Sequence, residues 1–230
     1  MIKAPEKSAV SRGTHLSPAD QTRAALIRAA LRLFGRQGFE GTSTREIAAL
    51  AKANIGSIAY HFGGKEGLRA ACANYIVETI GGIAGAAMAE GAGVARGAEA
   101  AHDRLNSVLE AMVGFIVARP EAGELVQFVL RELSQPSEAL DIIYEGVFEP
   151  VHNRLCRIWA EATGEDAEGE RTKITVFTMI GQVIYFRIAG PAVMRRMGWE
   201  GIGPVEAAAV ISVVQGNLEA IIAARKGEKP

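Results

Sequence analysis

Apolar residues recur every three to four positions along almost the whole chain, and Val, Ile and Thr are rarely clustered. This spacing is typical of amphipathic helices, whereas a half-buried strand alternates apolar and polar residues. Ala, a strong helix former, is frequent in the same segments. The pattern therefore predicts an all-α protein.

The first predicted helix begins near Ser17 and Pro18, because Ser is favoured at the N-cap and Pro at the first helical position. Its apolar face includes Ile27 and Phe34, and Gly38 is expected to end it. This helix opens the first folded unit of the chain.

Two short helices are predicted next. Ser43 and Glu46 have the spacing of a capping box, which satisfies free amides at a helix start. After a three-residue connection, a second short helix runs from Ile55 to Phe62, with Asn54 as the expected N-cap. Two short helices joined in this way form a helix-turn-helix.

A long helix is predicted to begin at Lys65 and to run toward Met88. Further helices are expected near residues 98–118, 121–134, 137–163, 171–189 and 204–225, with the segment from Gly190 to Pro204 as a break. We therefore divide the chain into a flexible arm at 1–17, a three-helix domain at 18–64, and a longer C-terminal helical domain at 65–230 that begins with this long helix.

Charge is distributed unevenly along the chain. Residues 1–72 carry 11 Lys and Arg against 5 Asp and Glu, a balance of +6, whereas residues 73–230 carry 14 against 21, a balance of −7. A basic segment attracts a polyanion, because neutralised phosphates release their counterions. Nucleic acid is therefore the expected macromolecular ligand of the N-terminal part.

Other features of the composition indicate a cytoplasmic protein. The first residues lack the apolar segment of a secretory signal, and Cys72 and Cys156 are too far apart in sequence to suggest a disulfide framework. The longest uncharged apolar stretch, Ile174 to Phe186, has 13 residues, fewer than the roughly 20 that span a membrane. We expect no membrane partner.

The segment TREIAALAKANIGSIAYHFGGKEGL at residues 44–68, with GRQGFEGTS before it, resembles the DNA-binding motif of TetR-type transcriptional regulators. The segments FEPVHNRL and IGQVIYFRIAGP resemble the CecR-like branch of that family. Lys52, Asn54, Ile55 and Ala59 depart from the usual motif. The resemblance implies a ligand-responsive repressor that binds a palindromic operator as a homodimer.

A recognition helix must present small or polar side chains to base edges, while hydroxyls and cations beside it contact phosphates. Residues opposite Ile58 and Phe62 fit the first role. Arg45 and His61 also fit ordinary roles, as a solvated charge and a packing residue. The predicted DNA-binding residues are Ser43, Thr44, Arg45, Asn54, Ile55, Gly56, Ser57, Ala59, Tyr60, His61 and Lys65.

The resemblance also implies an effector cavity and a dimer interface in the C-terminal domain, although every residue proposed for them also fits a plain core role. The candidate cavity residues are Met112, Phe115, Phe128, Arg131, Tyr144, His152, Phe177, Gln182 and Tyr185. The candidate interface residues are Ala207, Ala208, Ile211, Val214, Gln215 and Leu218.

Two other functions remain open at this point. Glu149 and His152 are spaced to share a helix face as metal ligands of an all-α enzyme, but a di-iron bundle needs that pair twice with further carboxylates. A helical adaptor that binds a small molecule without DNA is the other alternative. The sequence contains no GxSxG, HExxH, Walker or dinucleotide-binding motif, so we expect neither catalysis nor a cofactor.

Overall fold

The computed structural model describes residues 17–89 and 97–227. The predicted arm before Ser17 and most of the glycine-rich segment after Ala89 lie outside the described residues. Within these ranges the chain forms helices and short connections, with no strand. The helices are α1 (Pro18–Gln37), α2 (Thr44–Ala51), α3 (Gly56–Phe62), α4 (Lys65–Ala89), α5 (Ala98–Met112), α6 (Ala122–Ser134), α7 (Glu138–Ile143), α8 (Glu149–Thr163), α9 (Glu170–Ile188), α10 (Gly190–Met197) and α11 (Pro204–Gly227).

Two π-helical turns modify this series. Val113–Val117 extends α5, and Tyr144–Phe148 joins α7 to α8, so each pair of segments continues the same helical path. The predicted helices at 98–118 and 137–163 correspond to these composite helices. Such turns are rare and lie mostly inside longer helices.

The ends of α1 follow from local chemistry. The Ser17 side chain accepts a hydrogen bond from the backbone N–H of Asp20, and Pro18 occupies the first turn. At the other end Gly38 has φ 77°, a conformation that glycine adopts without a Cβ clash. Both ends therefore match the sequence-based prediction.

The expectation of a break from Gly190 to Pro204 was wrong for its first half. Residues Gly190–Met197 form α10, with Pro191 in its first turn and Gly198 in the left-handed conformation at its end. Proline has no backbone N–H, but the N–H groups of the first helical turn have no partner within the helix. Proline is therefore well tolerated at a helix start. Glycine and proline at 190–191 thus mark a bend between two helices.

The buried side chains form two clusters. The head core joins α1–α4 to α6 and α7 and includes Leu31, Phe34, Ile47, Ile58 and Phe128. The distal core joins the end of α4 to α5, α8, α9 and α11 and includes Leu105, Leu109, Trp159, Val183 and Leu218. The helices that follow residue 64 thus contribute to both cores.

Helix α6 packs closely on α1 at Gly35. A Cβ at this position would lie 3.1 Å from Gln127 Cβ and 3.2 Å from the backbone nitrogen of Phe128, closer than ordinary van der Waals contact. The Arg131 guanidinium donates to the backbone carbonyls of Gly35 and Arg36 near the end of α1. Helix α6 is therefore held in close contact with the end of α1.

Within helix α11 the segment Pro204–Arg225 is long and apolar enough to cross a membrane, because its most apolar 18-residue window has a mean hydropathy of 1.6. One side of it lies in the distal core, through residues that include Val210, Val214 and Leu218. Glu206 and Glu219 interrupt its apolar character. The core helix of a globular domain has the same properties.

Candidate DNA-binding surface

Helices α1, α2 and α3 form a small head around shared apolar residues. Ile47 of α2 and Ile58 of α3 are completely or almost completely buried with Leu31 and Phe34 of α1. Each of the two short helices therefore has one side fixed in the core and another side free. The free sides are available for a ligand.

The start of α2 has the predicted capping box. Ser43 Oγ accepts a hydrogen bond from the Glu46 backbone N–H at 3.2 Å, and Glu46 Oε2 accepts one from the Ser43 backbone N–H at 2.8 Å. A further hydrogen bond from the Ser43 hydroxyl helps to hold the pKa of the Glu46 carboxyl below its ordinary value. The carboxylate also interacts favourably with the helix dipole.

The turn between α2 and α3 begins with a residue in an unfavourable backbone conformation. Lys52 has φ 53° and ψ 39°, the left-handed conformation, and it is the sole non-glycine residue with positive φ among those described. A side chain in this conformation costs roughly 1 kcal/mol. The exposed lysine therefore retains a cation at the turn at a small cost in stability.

Asn54 was predicted as the N-cap of α3, and that position is occupied by Ile55, whose dihedral angles are already helical. Asn54 still orders the helix start, because its Oδ1 accepts a hydrogen bond of 2.8 Å from the Gly56 backbone N–H. The Asn54 side chain thus forms a turn with the residue two positions later. The Asn54 amide oxygen is therefore occupied by this hydrogen bond, whereas the amide nitrogen is not part of it.

Helix α3 presents a mostly small surface to solvent. Ile58 is buried and Phe62 is partly buried, as predicted, whereas Asn54, Gly56 and Ala59 are exposed. Tyr60 is 83 % exposed and its ring meets the edge of His61 at a centroid distance of 4.9 Å. The outward side of α3 can therefore approach another molecule closely, with Tyr60 projecting beyond it.

The residues predicted to contact phosphates differ in their solvent exposure. Ser43 and Arg45 are exposed at the start of α2, while Thr44, Ser57 and His61 are partly buried. The Lys65 ammonium lies 4.1 Å from the centre of the Phe39 ring, a cation–π contact that holds it against the head. Arg69 lies over the same ring at 4.5 Å.

The candidate cavity residues do not line one cavity. Phe128 is fully buried in the head core, 6.3 Å from the Phe34 ring centre, and Arg131 binds the end of α1. Tyr144 is exposed, and so are Phe177 and Tyr185 on α9. Three further candidates, Met112, Phe115 and Gln182, are partly buried.

A small apolar cavity lies between α5, α8 and α9. It has a volume of about 10 Å³, enough for a single water molecule. Met112 is the one candidate among its wall residues, which are Leu105, Val108, Leu109, Met112, Leu155, Val176, Met179 and Ile180. A larger molecule can occupy this position only if the three helices separate.

The candidate interface residues of α11 lie mainly on its inward side. Ala207, Val214 and Leu218 are buried in the distal core, Ile211 is partly buried, and the Gln215 amide donates to the Glu110 carboxylate of α5. Ala208 is exposed. Three of the six are thus core residues of a single chain.

A different set of apolar residues is exposed on α9 and α11, and none of them is among the six residues that the sequence analysis named for the interface. Phe177 and Tyr185 are each 61 % exposed on α9, and Val213 is 62 % exposed on α11. The residues that share this property on the two helices are Ile174, Phe177, Tyr185, Ile188, Val205 and Val213. Ile174, Phe177, Tyr185 and Ile188 are separated by three, eight and three positions, so they lie on one side of α9. We call the six residues the exposed apolar stripe of α9 and α11.

His152 of α8 is buried against α9. Its ring stacks on Phe177 at a centroid distance of 3.9 Å, and its Nε2 lies 3.2 Å from the Lys173 carbonyl oxygen. Cys156 Sγ is 3.7 Å from His152 Nδ1, and burial raises the pKa of this thiol. Glu149 is exposed, and the described residues include no group of three or more His, Cys, Asp or Glu placed to hold a metal ion.

Comparisons with known proteins agree with this architecture. Residues 26–72 match the family model of bacterial regulatory proteins of the tetR family, and residues 101–225 match that of the C-terminal domain of the HTH-type transcriptional dual regulator CecR. The CecR protein of Shigella flexneri is 32 % identical over 208 residues, covering 88 % of this chain and 92 % of its own length.

Solved structures show the same fold. The fatty acid degradation regulator FadR from Bacillus halodurans superimposes with a TM-score of 0.62 at 15 % identity, covering 89 % of this chain and 96 % of that one. AibR, solved with isovaleryl coenzyme A and operator DNA, gives a TM-score of 0.61 at 18 % identity, covering 85 % and 97 %. Both similarities extend across the head and the helices that follow it.

Proposed function

The chain belongs to the TetR family of bacterial transcriptional regulators, with a C-terminal domain of the CecR type, and from this premise we propose that a homodimer binds a palindromic operator through α3. An effector bound in the C-terminal domain changes the affinity for that operator. We expect repression where the operator overlaps a promoter, and a cytoplasmic location follows from the DNA partner. The exposed small surface of α3 beside Tyr60 is the observation that carries the proposal.

The head supplies both kinds of contact that an operator requires. The outward side of α3 is free of bulky side chains apart from Tyr60, so the helix can enter the major groove. Exposed Ser43 and Arg45 at the start of α2 are available for phosphate oxygens. The +6 balance of residues 1–72 adds long-range attraction to the duplex.

Dimerisation is assigned to the exposed apolar stripe of α9 and α11. Phe177, Tyr185 and Val213 lie on this stripe, and exposed large apolar residues at such density mark a contact surface. A second copy of the chain covers them with the same residues, because a two-fold axis places identical surfaces against each other. The two heads then contact equivalent half-sites.

The effector acts through the helices that connect the two cores. The cavity between α5, α8 and α9 is too small for a metabolite, so an effector favours a state in which α5 moves away from its neighbours. Only residues 118–121 separate the π-helical end of α5 from α6, and α6 packs on α1 at Gly35. A shift of α5 therefore changes the position of the head.

Selection of bound duplexes from a random-sequence pool, followed by gel shifts at increasing salt, tests this function. We expect an inverted repeat and an affinity that falls steeply with salt, because phosphate contacts release counterions. A panel of metabolites added to the complex should contain one that lowers or raises the affinity. A protein that enriches no sequence and shows no salt-dependent binding would contradict the DNA-binding function.

A further inference from the structure

The surface of α3 lacks the side chains that identify purines by paired hydrogen bonds. Guanine is usually contacted by the two donors of Arg or by Lys, and adenine by the amide of Asn or Gln. Helix α3 has the sequence GSIAYHF and contains none of these residues. Lys52 and Lys65, the nearest cations along the chain, belong to the turn after α2 and to the start of α4.

Asn54 is the one amide beside α3, and its position limits what it can do. Its Oδ1 accepts the Gly56 N–H at 2.8 Å, which orders the first turn of the helix. A paired contact with adenine needs both the oxygen and the nitrogen of the amide. The Asn54 side chain therefore has only its NH₂ group left for a base or a phosphate.

Apart from the hydroxyls of Ser57 and Tyr60 and the ring of His61, the chemistry left on this surface is that of methyl groups. Ile55 is 49 % exposed and Ala59 is exposed, and residues four positions apart lie on the same side of a helix. Gly56 adds no side chain next to them, so the backbone can approach the groove closely. In the major groove the apolar partner of such a surface is the 5-methyl group of thymine.

We propose that α3 recognises its half-site chiefly through the 5-methyl groups of thymine, which pack against Ile55 and Ala59. This inference rests on the proposed operator binding and specifies the base that the operator presents to α3. Hydroxyls of Ser57 and Tyr60 add contacts on the other side of the helix. The part of each half-site under α3 is therefore rich in thymine.

Replacing thymine by deoxyuridine in the selected operator removes only the methyl group. We expect each such replacement under α3 to weaken binding about fourfold, the effect of losing one buried methyl. Replacements in the flanking DNA serve as the matched control and should leave affinity unchanged. Ile55→Ala should bind the thymine operator more weakly and should be less sensitive to deoxyuridine than the unmodified protein.

The outcomes separate this inference from the proposed function. Specific binding that is unaffected by deoxyuridine at every position would overturn thymine recognition and leave the regulator function intact. A selected half-site whose invariant positions under α3 are guanine or cytosine would overturn it as well. Failure to select any sequence would instead contradict the operator binding on which the inference rests.

Discussion

Arg69 of α4 and Glu132 of α6 form a paired ion contact in which Nε and a terminal nitrogen of the guanidinium each donate to a separate carboxylate oxygen at 2.9 Å. The Glu132 side chain is only 3 % exposed, and its Oε2 also accepts a 2.6 Å hydrogen bond from the Ser137 hydroxyl. Arg69 in turn lies over the Phe39 ring of the head. The pair therefore connects α6 to the DNA-binding head through buried polar contacts.

Glu132→Ala should reduce the free energy of unfolding by about 3–5 kcal/mol, because it leaves a buried guanidinium without its counter-charge. Urea unfolding measures this loss. Glu124→Ala is the matched control, since Glu124 also joins α6 to another helix through Arg32, at 3.7 Å on the surface. The control should lose about 0–1 kcal/mol, and equal losses in both variants would refute the role assigned to burial.

Tyr60→Ala should weaken operator binding without changing the stability of the head, because the side chain projects into solvent. A hydrogen bond to a charged phosphate contributes about 1.5 kcal/mol or more, and a dimer has two such residues, so affinity should fall about 100-fold or more. Fluorescence anisotropy with labelled operator measures the effect. Tyr75→Ala on α4 is the control, and unchanged binding by both variants would remove Tyr60 from the DNA surface.

Val213→Asp should convert the dimer to a monomer, because it places a carboxylate within the exposed stripe of α9 and α11. Sedimentation velocity distinguishes the two states. Leu133→Asp introduces the same charge at an exposed apolar residue of α6 and should leave the dimer intact. A dimeric Val213→Asp protein, or a monomeric Leu133→Asp protein, would contradict the assigned interface.

Ser43→Ala should destabilise the protein by about 1 kcal/mol and raise the pKa of Glu46 back toward its ordinary value. In the unmodified protein the pKa of Glu46 is lowered on folding, so its contribution is complete above the unfolded-state pKa and is lost as pH falls through the folded-state pKa. NMR titration of the Glu46 carboxyl measures the shift. Ser134→Ala, where the hydroxyl contacts a carbonyl of its own helix, is the control. An unshifted Glu46 in the unmodified protein would contradict the capping assignment.

Features set by neighbouring residues could be predicted from the sequence. Ser17, Gly38, Ser43 and Glu46 act within one helical turn of their own positions, so the ends of α1 and the start of α2 follow from residue type. The resemblance of residues 44–68 to the DNA-binding motif of TetR-type regulators indicated the function. The helix-turn-helix therefore required no information about distant packing.

The C-terminal half could not be predicted at the same level, because tertiary packing decides which side of an apolar helix is exposed. Helix α9 is apolar on several sides, so composition does not show that Val183 is buried while Tyr185 is exposed. Phe128 was expected in a cavity and lies in the head core because α6 packs on α1. These placements depend on contacts between residues far apart in sequence.

In the proposed complex, two copies of α3 contact DNA from a symmetric dimer. Hydroxyl-radical footprinting of the selected operator, with unmodified protein and with Tyr60→Ala, tests it most directly. We predict two equivalent protected segments on one face of the duplex, about one helical turn or a multiple of it apart, and no protection by the variant. A single asymmetric footprint would contradict binding by a symmetric dimer, and a footprint that the variant retains would contradict DNA contact through Tyr60 of α3.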